Sequence, residues 1–209
     1  MDVACRRIRL VIFSICMLDN LKKYNVVLAS NSPRRKELLE GLGINYEVRT
    51  ISGIDESYPS YIKGEEIPLY IARKKSDAYK KFLVENELVI TADTIVWLDG
   101  KVLGKPHNAV RAREMLASLS GNTHQVMTGV CIMTKNIRKE FVAVTDVAFD
   151  NLTQDEITYY VDNYKPFDKA GAYGIQEWIG YVGVKAINGS YFNVVGLPIQ
   201  RLYKELKNF

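Results

Sequence analysis

The stretch that most constrains this chain is Val26 to Gly43, VVLASNSPRRKELLEGLG. It reads as a short apolar strand, a polar loop and a helix. Val26 to Ala29 is a continuous apolar run of the kind buried on both faces. Ser30, Asn31 and Ser32 form the loop. Pro33 suits the first helical position, where its fixed φ helps and its missing N–H costs nothing. Leu38, Leu39 and Leu42 give the helix one apolar face, and Gly41 and Gly43 mark its end. The oddity is Arg34–Arg35 in the first turn. A helix N-terminus is already positive, so basic residues work against its dipole. An anion at that end resolves the conflict, because free N–H groups and guanidinium forks both suit phosphate oxygens. Two solvated arginines beside a capping serine are the alternative.

The 209 residues suffice for one sizeable core. A hydrophobic content of 47% and a charged content of 25% are ordinary for a globular protein. A net charge of +4 is too weak to argue for nucleic acid and fits a positively lined polyphosphate pocket equally well. Cys5, Cys16 and Cys131 are odd in number and widely spaced, which suggests neither a disulfide framework nor a zinc site and points to a reducing compartment. His107 and His124 are too few for a histidine-rich metal site. Residues 1–24 read as an N-terminal extension ahead of a single domain at 25–209. Arg6, Arg7 and Arg9 before Leu10 to Leu18 resemble a signal peptide, but no small-residue cleavage site follows and the run is too short to span a membrane. A start at Met17, with residues 1–16 as a gene-model extension, is the simplest account. A disordered or loosely docked extension and a targeting signal are the other two.

Along the chain, Asn45 to Ile51 reads as a strand and Gly53 to Glu66 as a polar loop holding Asp55 and Glu56. Pro68 opens a helix to about Phe82, with Ile71, Ala72, Ala78, Tyr79 and Phe82 inward and Lys74 and Lys75 midway. Leu88 to Leu98 is a strongly apolar strand that contains Thr91, Asp93 and Thr94. Asp99-Gly100 turns it into Lys101-Val102-Leu103. An aspartate inside such a strand is costly to bury unless paired, hydrogen-bonded or metal-bound. We read it as functional; a structural aspartate capping a loop is the alternative. Gly104-Lys105-Pro106 brings a lysine near Asp93. Asn108 to Leu119 is an amphipathic helix, 124–134 and 140–149 are two strands, and Thr153-x-x-Glu156 is a capping box. Asp168 to Gln176, DKAGAYGIQ, carries small residues that imply a tight bend or close packing on a ligand. Trp178 to Ile187 and Tyr191 to Val195 read as strands, and a last helix ends near Leu206. Interleaved strands and helices predict a mixed α/β sheet flanked by helices.

The polar oddities form a set. Arg34, Arg35, Lys75 and Lys105 suit phosphate, while Glu56 and Asp93 suit a divalent metal or an activated water. No G-x-x-x-x-G-K-[ST] and no G-x-G-x-x-G occurs, which counts against P-loop and Rossmann enzymes. Ser30 reads as a phosphate hydrogen-bond donor rather than a nucleophile.

The chain closely resembles the Maf family of nucleoside triphosphate pyrophosphatases. The resemblance rests on LASNSPRRKELL (28–39), ADTIV (92–96), GKP (104–106), SGNTHQV (120–126), KAGAYGIQ (169–176) and INGSYFNVVGLP (187–198). It departs mildly at Asn31, where the family more often has glycine. The resemblance implies an inosine-triphosphatase-like fold with a central twisted sheet and an active-site cleft. It implies a cytoplasmic, dimeric enzyme that uses Mg2+ or Mn2+ to release pyrophosphate from a nucleoside triphosphate, with no nucleic-acid or membrane partner. By position, Asp93 matches the family's proton acceptor. Ser30, Arg35, Glu56, Lys75 and Lys105 match its phosphate- and metal-binding positions, with Glu56 and Asp93 as the metal carboxylates. Arg34, Thr94 and Gln176 match the positions that separate subfamilies, and the combination resembles the dTTP/UTP branch. The alternatives are a 7-methyl-GTP pyrophosphatase and a non-catalytic nucleotide-binding regulator of septum formation.

Overall fold

The apolar run around Asp93 becomes the central strand of the sheet. In a computed structural model, which describes residues 17–209, it spans Glu87–Leu98 and is nearly all buried. Numbering the strands in chain order, β1 is Asn25–Leu28, β2 Glu47–Val48, β3 Glu87–Leu98, β4 Lys101–Leu103, β5 Thr123–Met133, β6 Arg138–Phe149 and β7 Val184–Asn188. The sheet runs β2-β1-β3-β5-β6-β7, with β4 also paired to β3. β1 is parallel to both β2 and β3. The remaining pairs are antiparallel. This is the mixed α/β sheet that the sequence predicts.

One side of β3 is shared, and this creates the cleft. β1 covers residues 87–90 and β4 covers 96–98. Between them the edge of β3 around Ala92 to Thr94 has no strand neighbour on that side among the described residues. Such a switch point, where neighbouring strands diverge, is where open α/β sheets bind ligands.

The helices are α1 (Pro33–Glu40), α2 (Glu66–Tyr79), α3 (Ala109–Leu119), α4 (Gln154–Tyr164), α5 (Trp178–Gly183), α6 (Tyr191–Val195) and α7 (Ile199–Leu206). Side chains alternate across a strand. Odd-numbered Val89, Thr91, Asp93 and Ile95 therefore face α2, whose Ala72 carbonyl accepts from the Thr91 hydroxyl at 2.8 Å. Even-numbered Leu88, Ile90 and Ala92 join a core with Leu39, Leu202 and Leu206. Val96 and Leu98, further along the same face, join a second core with Leu116, Tyr160 and Ile179. Thr94 lies between the two cores.

Four sequence expectations are corrected. Trp178 to Ile187 is not one strand: α5 forms first and β7 follows. Gly180 sits so close to the Ile175 carbonyl that a Cβ there would lie 1.8 Å from it, a close turn no extended run would make. Tyr191 to Val195 is helical. Ser190 caps it by accepting from the Asn193 N–H, and the Asn193 amide donates into the sheet at Val126 and Ala143. Tertiary bonds override the β preference of Val194 and Val195. The helix opened near Pro68 starts at Glu66 and stops at Tyr79, which leaves Phe82 outside it and 65% exposed. Only Glu47 and Val48 of the expected strand 45–51 are paired.

Residues 17–24, read from sequence as part of the extension, pack against the body. A 3-10 turn at Asp19–Lys23 buries Leu18 and Leu21 in the core of α1 and α7, and Asn20 donates to the Leu206 carbonyl at 2.8 Å. Residues 1–16, with all but the last two residues of the signal-like run, lie outside the described residues. Among the described residues no helix is long and apolar enough to cross a membrane.

Candidate active site

A cleft of about 810 Å³ opens at the gap beside β3. One wall is the loop Ser30–Ser32 and the start of α1. Ser32 caps the helix by accepting from the Arg35 N–H, and Pro33 occupies the first turn, as the sequence predicts. The Ser30 hydroxyl oxygen accepts from the Ser32 N–H at 3.2 Å and from Arg35 at 3.5 Å. Its own hydrogen stays available to a ligand.

The opposite wall carries the charge cluster. Lys75 Nζ, on α2, lies 2.7 Å from Asp93 Oδ1 and 2.9 Å from Glu56 Oε1. Register explains this: α2 lies over the odd-numbered face of β3, where Asp93 points. Gly129, paired with Asp93 on β5, lets the helix approach; a Cβ there would lie 2.4 Å from the backbone of Pro68 and Leu69. Burial pushes the Asp93 carboxyl above its ordinary range, against the pull of Lys75 and Arg35. A carboxylate held this way binds a proton more readily than a solvated one. Lys105 lines the same cleft and is exposed. It has no hydrogen-bond or ion-pair partner among the described residues.

Arg35 is used differently from the expectation. Its Nε donates to the Gly196 carbonyl at 2.8 Å, one terminal nitrogen to the Ala92 carbonyl at 2.8 Å and to Ser30, and the other to Thr94 Oγ1 at 3.0 Å. Four of the five N–H donors of a guanidinium are thus spent on the protein. Arg35 braces α1 to the bare edge of β3 and to the end of α6, with one donor left. Burial lowers its proton affinity and the nearby Asp93 raises it.

The three residues expected to set specificity divide in the same way. The Thr94 hydroxyl takes the Arg35 bond and lies 2.9 Å from the Thr128 hydroxyl, so it is committed to the protein. Arg34 reaches Asp168 across the cleft mouth at 3.4 Å. Gln176 lines the cleft with its Oε1 buried and without a partner among the described residues. A buried amide oxygen left unpaired is costly, and a donor on a ligand would satisfy it.

Sequence reasoning missed the residues around Gln176. Lys169 is almost buried, and its Nζ lies 3.2 Å from Asp168 and 3.1 Å from Glu177. The Tyr160 hydroxyl donates to Glu177 and accepts the Gly174 N–H at 3.0 Å. The loop of small residues carried the only signal. Gly171 takes φ +67° and Ala172 φ +60°, and Gly171 packs against Val96 with no room for a Cβ.

Two carboxylates, Asp93 and Glu56, face the cleft beside Lys75. Mg2+ is commonly held by one or two carboxylates together with substrate phosphates, and this all-oxygen pair fits such an ion. Among the described residues no cluster of three or more histidine, cysteine or acidic side chains is placed to hold a metal, so an ion here would draw its remaining ligands from substrate and water.

The chain matches the family profile described as "Maf-like protein" over residues 25–209. It is 64% identical over 191 residues to a protein of Phocaeicola vulgatus named dTTP/UTP pyrophosphatase, covering 91% of this chain and 99% of that one. It is 62% identical over 193 residues to a protein of the same name from Parabacteroides distasonis, covering 92% and 100%. Among solved structures, a HAM1 protein from Coxiella burnetii is similar at TM-score 0.49 and 15% identity, covering 89% of this chain and 100% of that one.

Proposed function

The chain belongs to the Maf family, and from that premise we propose that it hydrolyses dTTP and UTP to the monophosphate and pyrophosphate. The observation that carries this reading is Lys75 held between Asp93 and Glu56 across a cleft from the capped start of α1. Cations for phosphate charge and carboxylates for water and metal meet at one switch point. Identity above 60% to two proteins bearing the dTTP/UTP name supports the base preference.

The chemistry follows from the residues. A water oxygen attacks the α-phosphorus, the bond from that phosphorus to the α,β-bridging oxygen breaks, and pyrophosphate departs. Asp93 accepts the proton of the attacking water, and its raised proton affinity suits that task. Lys75, which pairs with Asp93 and Glu56 in the free protein, transfers its donors to phosphate oxygens. Lys105, without a partner among the described residues, adds a second ammonium. The Ser30 hydroxyl and the N–H groups at the start of α1 donate to oxygens at the far end of the triphosphate. A divalent cation, Mg2+ or Mn2+, would be held by Asp93 and Glu56, and when bound it neutralises phosphate charge and lowers the pKa of water. The Gln176 oxygen accepts the N3–H of uracil or thymine. We place the activity in the cytoplasm, in a dimer without nucleic-acid or membrane partners, on the family resemblance alone.

The test is product analysis with dTTP, UTP, 7-methyl-GTP, ATP and GTP, with Mg2+ and with chelator, in 18O-labelled water. Label in the monophosphate with unlabelled pyrophosphate is the expected result, and dTTP and UTP are the best substrates. Asp93→Asn is expected to lower kcat by about 10²–10⁴-fold, the usual scale for a positioned base. Preference for 7-methyl-GTP, or label in the pyrophosphate, would overturn the assignment.

A further inference from the structure

The two side chains that face the base end, Arg34 and Gln176, belong to opposite walls of the cleft. A continuous chain of polar contacts joins those walls. Arg34 contacts Asp168, Asp168 contacts Lys169, Lys169 contacts Glu177, and Glu177 accepts from Tyr160. Charges alternate along it. Tyr160, on α4, then accepts the Gly174 N–H. Gln176 is therefore bracketed by Gly174 and Glu177, both fastened, while its own amide makes no hydrogen bond to the described residues.

This arrangement solves a problem of recognition. A glutamine amide on a free side chain turns over and exchanges its donor and acceptor faces, so by itself it selects a base edge poorly. Selection requires that its backbone be fixed relative to the other contacts on the base. The loop is built for that. Gly174 leaves room for the Glu177 carboxylate, which a Cβ would approach within 2.9 Å. The left-handed Gly171 and Ala172 return the chain so that Lys169 meets Glu177 eight residues on.

We propose that Lys169, Glu177 and Tyr160 are positioning residues for base selection, setting the distance between Arg34 and Gln176 without touching the phosphates. The inference rests on the reading of the cleft as a pyrimidine nucleotide site. Removing a middle link lets the two walls drift, and the loss falls on the base that fits best.

The experiment measures kcat/KM for UTP, dTTP, ATP and GTP in wild type, Lys169→Met and Tyr160→Phe, with thermal melts of each. Tyr160→Phe deletes only a hydroxyl and keeps the ring in its core, so it serves if Lys169→Met does not fold. The expected result is an approximately tenfold drop in the pyrimidine-to-purine ratio, carried by KM for UTP and dTTP, with the purine values nearly unchanged; such a ratio corresponds to about 1.4 kcal/mol. An equal loss on all four nucleotides, or an unchanged ratio, overturns the proposal and leaves a merely structural network. A wild type that turns over no triphosphate, or shows no pyrimidine preference, overturns the functional reading and this inference with it.

Discussion

Two cations of the cleft, Arg35 and Lys105, look interchangeable in sequence and are opposite in the structure. Lys105 has no partner among the described residues, so its donors are all free for phosphate. Lys105→Met is expected to lower kcat/KM by about 10- to 100-fold while leaving the urea midpoint unchanged, because an exposed side chain outside any hydrogen bond or ion pair of the described residues contributes about ±0.5 kcal/mol at most to stability. Arg35 spends four donors on Ala92, Gly196, Thr94 and Ser30. A lysine cannot reproduce a fork that holds two carbonyls. Arg35→Lys is therefore expected to lower both turnover and stability, the latter by about 2–4 kcal/mol as buried acceptors lose their donor. Equal midpoints for the two variants would refute the brace. The residue types needed for the chemistry were legible: two arginines at a helix start and an aspartate inside an apolar strand both contradict local rules, and such conflicts mark sites. Their division of labour was not, because it depends on which carbonyls lie within 3 Å, and no spacing in the sequence states that.

At the level of elements, the position of α2 decides whether Lys75 meets Asp93. Gly129 sets that position, since it lies beside Asp93 on the same face and admits the backbone of Pro68 and Leu69. Gly129→Ala is expected to push the helix off the sheet, costing about 1–3 kcal/mol by overpacking. Turnover should fall more than stability alone explains, because the Lys75–Asp93 distance changes. Urea unfolding with parallel kinetics on the folded protein separates the two effects, and full activity in a destabilised variant would show that α2 does not set the site. Strands β1, β3, β4, β5 and β6, α1 to α4 and the capping box at Thr153 were readable from periodicity and caps, whereas β2 and β7 were read too long. α5 and α6 were not. Both are short, both are rich in β-branched and aromatic residues, and both owe their helical turns to distant partners, Asn193 binding three sheet acceptors and Gly180 seated on Ile175. Local preference had no access to those contacts.

For the whole molecule, one buried ring makes an acid-sensitive contribution to stability. His124 sits in the second core, edge-on to Phe149 and Tyr173, with Nε2 2.7 Å from the Tyr173 hydroxyl and Nδ1 without a partner among the described residues. Burial lowers its pKa from 6.5 to about 4. An unfolded histidine takes up a proton near pH 6.5, whereas the folded one resists until about pH 4. Between those values the unfolded state binds more protons, so stability falls as pH falls. The full shift corresponds to about 3 kcal/mol, of which ~2 kcal/mol is lost between pH 7 and pH 5. Paired carboxylates such as Glu87 and Glu140, held below their ordinary range by Arg49 and Arg73, lose their contribution only at lower pH. Asp93, whose carboxyl burial raises, acts with the opposite sign, so the histidine is isolated by comparison with a variant that lacks the imidazole. Unfolding free energies of the wild type at pH 7, 6 and 5 are expected to trace this decline, and His124→Gln, which cannot titrate, should start less stable and decline less. An equally steep decline in that variant would place the acid sensitivity elsewhere. The same ring joins the cleft to the core: His124 is fastened to Tyr173, Tyr173 lines the cleft beside Gln176, and protonating the ring would disturb the loop that carries Gln176.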